Sequence, residues 1–157
     1  MKILSIHTLV FALSAALLTT ACKEKKIEPA PVPVISNAMT YRLSGQAVTA
    51  TSVTASNSSN ILSVTGITSP QSLTILLPNP TTSGTISNGT ISYSLSGAAW
   101  SASPGLAGST STIELTELNT VARKASGTFS ATLQATPGTP ATGTKTVADG
   151  SFTNVSF

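Results

Sequence analysis

Ala125-Ser126-Gly127-Thr128-Phe129-Ser130-Ala131-Thr132-Leu133 alternates small or apolar residues with serine and threonine over nine positions. A period of two places Ala125, Gly127, Phe129, Ala131 and Leu133 on one face of a half-buried strand and the hydroxyls on the other. Thr112–Leu118 precedes it with Ile113 and Leu115 sharing a face, and the intervening 119–124 reads as a connection. Upstream, strand-like runs lie near 46–56, 60–66 and 71–77. Leu73-Thr74-Ile75-Leu76-Leu77 is the most apolar of them and reads as a central strand stopped by Pro78-Asn79-Pro80, because proline cannot continue a central ladder. Thr and Ser dominate from residue 40 onward, and no window carries the 3.6-residue pattern of a long amphipathic helix.

Thr85-Ile86-Ser87-Asn88-Gly89-Thr90-Ile91-Ser92 carries the strongest local turn signal. Asn-Gly tolerates positive φ at both central positions of a type I′ turn, so a two-residue hairpin is expected, with Ser87 opposite Thr90 and Ile86 opposite Ile91. Residues 135–144 read as a loose loop. In the closing segment, Phe152 and Val155 have odd spacing, which predicts a bulge near Asn154 or two covered faces. Residues 41–51 (YRLSGQAVTAT) and 93–103 (YSLSGAAWSAS) agree at six of eleven positions. That echo fits either a duplicated β unit or two similar strand-turns drawn from one Ser/Ala/Gly-rich alphabet. The expected fold is all-β and antiparallel, with about eight strands running mostly as sequential neighbours in a β-sandwich or a flattened meander barrel.

The N-terminus has a different character. Lys2, an apolar run from Ile3 to Leu18, and Thr19-Thr20-Ala21 precede Cys22, the only cysteine. Charge, apolar stretch, small residues and cysteine in that order resemble a bacterial lipoprotein signal, in which the thiol of Cys22 carries lipid. Thr19 stands where such signals usually have leucine, and a plain secretory signal or an uncleaved anchor are the rival readings. Residues 1–21 are thus read as signal peptide and 22–37 as lipidated cysteine plus Pro-rich tether. At ~3.1 Å per residue in polyproline II, the tether spans up to ~50 Å. Residues 38–157 form a single β domain. Acylation of Cys22 predicts a protein held to the membrane of the cell envelope, the outer membrane being the expected one.

Composition excludes several chemistries. The formal charge of +3 divides equally among Lys2 of the signal, the tether and the domain, and the domain sets Arg42, Arg123, Lys124 and Lys145 against Glu114, Glu117 and Asp149. No basic face for nucleic acid results. His7, the only histidine, lies in the signal, so imidazole-based triads and zinc sites are not available to residues 22–157. Glu114 and Glu117 are three apart and point to opposite faces of a flat strand, unless it bulges between them. A Ser-Lys dyad through Lys124 or Lys145 and a calcium site at Asp149 lack supporting motifs. No cofactor and no enzymatic activity are expected. Trp100, Tyr93 and Tyr41 are the candidates for ligand contact, since a lone Trp either stacks on a sugar or fills a core.

The Cys-Lys-rich start, the early Ser44-Gly45-Gln46-Ala47 motif, Thr112–Asn119, Gly127-Thr128-Phe129 and the terminal Gly150-Ser151-Phe152-Thr153-Asn154-Val155 together resemble small uncharacterised Bacteroidota lipoproteins carrying a β-rich domain of unknown function. The resemblance covers 38–157, with Val48 where an aromatic is expected and Asn119 where Asp is expected. It implies location and β architecture but no activity. Two function classes follow: a structural or protein-interaction module acting through sheet edges or loops with an envelope protein, and, as the alternative, a glycan- or small-ligand-binding module using Trp100 and a tyrosine.

Overall fold

A computed structural model describes residues 37–157. The signal, Cys22 and the tether as far as residue 36 lie outside the described residues. The described residues form eleven strands: β1 (Ala38–Leu43), β2 (Gln46–Thr49), β3 (Ser52–Ser58), β4 (Ile61–Thr68), β5 (Gln71–Pro78), β6 (Gly84–Ile86), β7 (Thr90–Leu95), β8 (Ala98–Ala102), β9 (Thr110–Asn119), β10 (Lys124–Ala135) and β11 (Thr144–Ser156). All pairings are antiparallel. Nine strands follow the order β2-β1-β11-β10-β8-β7-β5-β4-β3, with β9 paired to β10 and β6 to β9 as a side branch. The all-β, antiparallel, mostly sequential expectation holds. The result is one curled sheet forming a half-barrel, and it has more strands than the eight expected.

One added strand comes from the run 46–56, which divides. Ala50 N–H still donates to Met39 of β1 (2.9 Å), whereas Thr51 N–H donates to Ile67 of β4 (2.8 Å). Consecutive residues thus serve opposite ends of the strand path, and this two-residue corner draws the sheet into its curl. β5 is central as expected, flanked by β4 and β7, with Leu73, Ile75 and Leu77 buried.

β10 follows its alternation closely, with Ala125, Gly127, Phe129, Ala131 and Leu133 inward. Its pairing with β11 explains two glycines. Gly127 lies opposite Phe152, and Phe129 lies opposite Gly150. A Cβ on Gly127 would sit 2.7 Å from the Phe152 ring, and one on Gly150 would sit 2.6 Å from the Phe129 carbonyl oxygen. Each ring occupies the space its partner's missing side chain leaves open. The rings are stacked at 6.4 Å, and Tyr41 adds a third at 6.3 Å from Phe129.

The bulge expected near Asn154 is present. Between Ala125↔Val155 and Gly127↔Phe152 the register shifts, and Asn154 takes φ 52°. A second shift, between Phe129↔Gly150 and Ala131↔Val147, accompanies φ 50° at Asp149. Each bulge inserts one residue, so Val147, Gly150, Phe152 and Val155 all face inward despite odd spacing.

The expected hairpin at Asn88-Gly89 does not form. Ile86 pairs with Ile113 of β9, whereas Ile91 pairs with Ile75 of β5 and Ala102 of β8. Asn88-Gly89 joins two different strand pairings, and Gly89 does not adopt positive φ. Its backbone instead lies against the Ile113 side chain, whose end must move aside to admit a Cβ. The two-residue turns with positive φ at both central positions are Ser44-Gly45, Ser59-Asn60 and Ser96-Gly97. They close β1–β2, β3–β4 and β7–β8.

Candidate functional site

Tyr93 on β7 and Trp100 on β8 are cross-strand partners in the hairpin closed by Ser96-Gly97, with ring centroids 5.8 Å apart. Both face inward, and Trp100 is 7% exposed. Of residues 135–144, expected as a loose loop, Ala135 and Thr144 instead end and begin strands, and 136–143 is pinned over the rings. Thr136 N–H donates to the Ala99 carbonyl (2.9 Å), the Thr139 hydroxyl donates to the Thr136 carbonyl (2.8 Å), and Trp100 Nε1–H donates to the Thr142 carbonyl (3.1 Å).

Directly after this strap, Lys145 opposes the inward Leu133, so its side chain also enters the interior. Its ammonium sits 4.5 Å from the Trp100 ring centroid and 5.8 Å from that of Tyr93. Lys145 is only half-buried, and a cation–π contact that still meets water contributes about 0.5–1 kcal/mol. The sequence offers Lys145 only as a member of a Ser-Lys dyad and does not foretell its place over the rings. The available signal was its place two residues before the buried Val147, on the inward side of β11.

Tyr93 donates its phenol to Gln71 Oε1 at 2.7 Å, and burial raises its pKa. Tyr41, on β1, contacts Phe129 rather than Trp100. Burial, and secondarily the neighbouring Tyr93, push its pKa to about 12. The three predicted contact residues are therefore buried, and Trp100 does not present an open ring face of the kind a sugar-stacking platform requires. The cluster is a closed end-plug of rings, strap and ammonium.

The carboxylates lie on the other side of the sheet. A register shift in β9 between Leu115 and Glu117 leaves both Glu114 and Glu117 outward, the bulged arrangement and not the flat-strand one. Asp149 carries a surface ion pair with Arg42 at 3.4 Å, an exposed contact of little energetic weight. Thr112, Glu114, Thr128, Ser130, Asp149 and Ser151 line an open groove of about 320 Å³ across β9, β10 and β11, floored by Phe129 and Gly150. Its chemistry is hydroxyls with two carboxylates, a surface that accepts hydrogen bonds from a hydroxyl-rich ligand.

No protein-family model, curated protein or solved structure matches this chain. Side-chain geometry and the sequence signals carry the functional reading.

Proposed function

We propose that the protein is a lipid-anchored, non-enzymatic module of the cell envelope, tethered through Cys22 and acting by protein–protein contact. The observation that carries the interaction reading is the closed interior. Trp100 and Tyr93 have their polar tips bonded internally, and Lys145 covers their rings, so recognition falls to the outside of the half-barrel and its strand edges. The anchoring half rests on Lys2, the apolar run 3–18 and Ala21-Cys22. The resemblance of the sequence to small Bacteroidota lipoproteins agrees with it, and the outer membrane is the location we propose.

The test is fractionation. Cys22→Ser is expected to release the chain to the aqueous fraction or to leave the precursor uncleaved. Normal processing with continued membrane retention in that variant overturns the anchor. The alternative, a glycan-binding module, is favoured by one observation, the hydroxyl-lined groove beside Glu114 and Asp149. Its site is then the outer groove and not Trp100. Glu114→Ala weakening retention on an immobilised neutral oligosaccharide, with Trp100→Phe leaving it unchanged, would favour that reading.

A further inference from the structure

Among the described residues, three strands sit on a free edge of the sheet: β2, β3 and β6. β2 has four residues and β6 three, lengths that offer a partner little to pair with. β3 has seven, Ser52-Val53-Thr54-Ala55-Ser56-Asn57-Ser58, hydrogen-bonded in unbroken register to β4 alone. Among the described residues, no other backbone or side-chain group bonds to the main chain of 52–58. Alternate N–H and C=O groups along this strand therefore point outward without a protein partner.

Natural sheets protect such an edge with lysine, proline or a bulge. β3 has none of these, and no Asp, Glu, Lys, Arg or His occurs anywhere from Leu43 to Ile113. Its inward residues pass from buried Val53, where β3 approaches β11 and β1, through half-buried Ala55 to exposed Asn57, so cover along this strand falls away toward its Asn57 end.

We propose that the free edge of β3 pairs antiparallel with the same edge of a second copy, about a two-fold axis at Ala55. The proposal rests on the interaction-module reading and names its partner. A strand edge is self-complementary under such an axis, because each outward donor meets an outward acceptor. The register sets Ser52 against Ser58, Val53 against Asn57 and Thr54 against Ser56. Every facing pair except Val53–Asn57 contains serine or alanine, and none contains a charge. The neutral faces of β3, β4 and β5 would then meet edge to edge without electrostatic repulsion, which favours a second copy over a charged partner.

Thiol crosslinking of the full-length chain in native membranes tests both the pairing and its register, with the wild type reporting any contribution from Cys22. Ala55→Cys faces its own copy across the axis and is expected to give a covalent dimer, whereas Val121→Cys, on an exposed loop, reports chance collision. Ser52→Cys lies about 20 Å from its own copy. It is expected to crosslink only when co-expressed with Ser58→Cys, and because both positions are exposed this pair carries the test if Ala55→Cys misfolds. Adding Ser56→Lys, which brings two ammonium groups together near the axis, is expected to abolish the crosslink while the far-UV spectrum stays that of the wild type. Dimer yield from Ala55→Cys no higher than from Val121→Cys overturns the proposal, as does Ser52→Cys crosslinking alone as well as in the mixture. Loss of crosslinking with Cys22-dependent membrane retention intact refutes the edge and spares the anchor; the opposite result does the reverse.

Discussion

The hairpins β1–β2 and β7–β8 share sequence, turn and register, yet they do different work. Both turn on Ser-Gly with nearly the same angles, φ 47° and 87° at Ser44-Gly45 and φ 48° and 86° at Ser96-Gly97. Both place a buried tyrosine opposite the same position on the return strand, which is Val48 in one and Trp100 in the other. The first hairpin ends on a free edge, and Val48 is only partly buried. The second lies between β5 and β10, and Trp100 helps close the end of the half-barrel. The likeness stops where the sequence echo fades. After β2 two residues lead into β3, whereas after β8 a longer connection reaches β9. One local motif thus serves as rim or as core, according to what its neighbours put over it.

Truncating the two return strands breaks the comparison most strongly. Trp100→Ala removes a ring held by Tyr93, Lys145 and the Thr142 carbonyl, and is expected to cost ~3–5 kcal/mol. Val48→Ala, at the matching position, is expected to cost about 1 kcal/mol or less, given the small volume lost from a half-exposed site. Urea denaturation of both variants measures the gap, and equal losses would mean that the edge hairpin is as deeply packed as the central one.

Alkaline pH separates the tyrosines. In the folded chain Tyr41 titrates near 12 instead of 10. The folded state therefore holds a proton that the unfolded chain releases. Stability is fully present below pH 10 and is lost as pH rises toward 12, at about 1.4 kcal/mol for each pH unit between the two pKa values. Tyr41→Phe is expected to flatten most of that fall in a pH series of thermal melts. Tyr93→Phe, whose ring keeps its place but loses the bond to Gln71, is expected to lower stability at neutral pH as well.

The smallest effects compare glycines. Gly45→Ala and Gly97→Ala introduce a Cβ at positive φ with open space around it, at a strain cost of about 1 kcal/mol each. Gly89→Ala is expected to cost a similar amount for another reason, since its Cβ meets the movable end of Ile113. The sign of a rescue separates the two causes. Ile113→Val should relieve part of the Gly89→Ala loss and none of the Gly97→Ala loss, as read from double-mutant cycles.

Asn88-Gly89 shows why the strongest turn signal misled. Asn-Gly permits a hairpin but does not require one, and Ile86 gains more by pairing with Ile113 on β9 than by pairing with Ile91, which β5 and β8 both claim. Ser-Gly, a weaker signal, turns at two places because the strands on either side pair with each other in unbroken register. Lys145 was illegible for a related reason. It shares a face with Val147, but one bulge separates both from Phe152 and a second separates them from Val155, so the inward face of the strand's end does not reveal theirs.

From the sequence alone the domain's class was settled. Threonine-rich alternation, the apolar run 73–77 and the odd spacing of Phe152 and Val155 dictate antiparallel strands, a central β5 and a bulge at Asn154, because a period of two and the burial of apolar side chains act over a few residues. The tertiary structure alone decided that Ala50 and Thr51 bond to strands at opposite ends of the path, that Phe129 and Phe152 cover each other's glycines, and that Lys145 lies over Trp100. Those contacts join residues far apart in the chain, and only the closing of the curl decides which distant strand each residue meets.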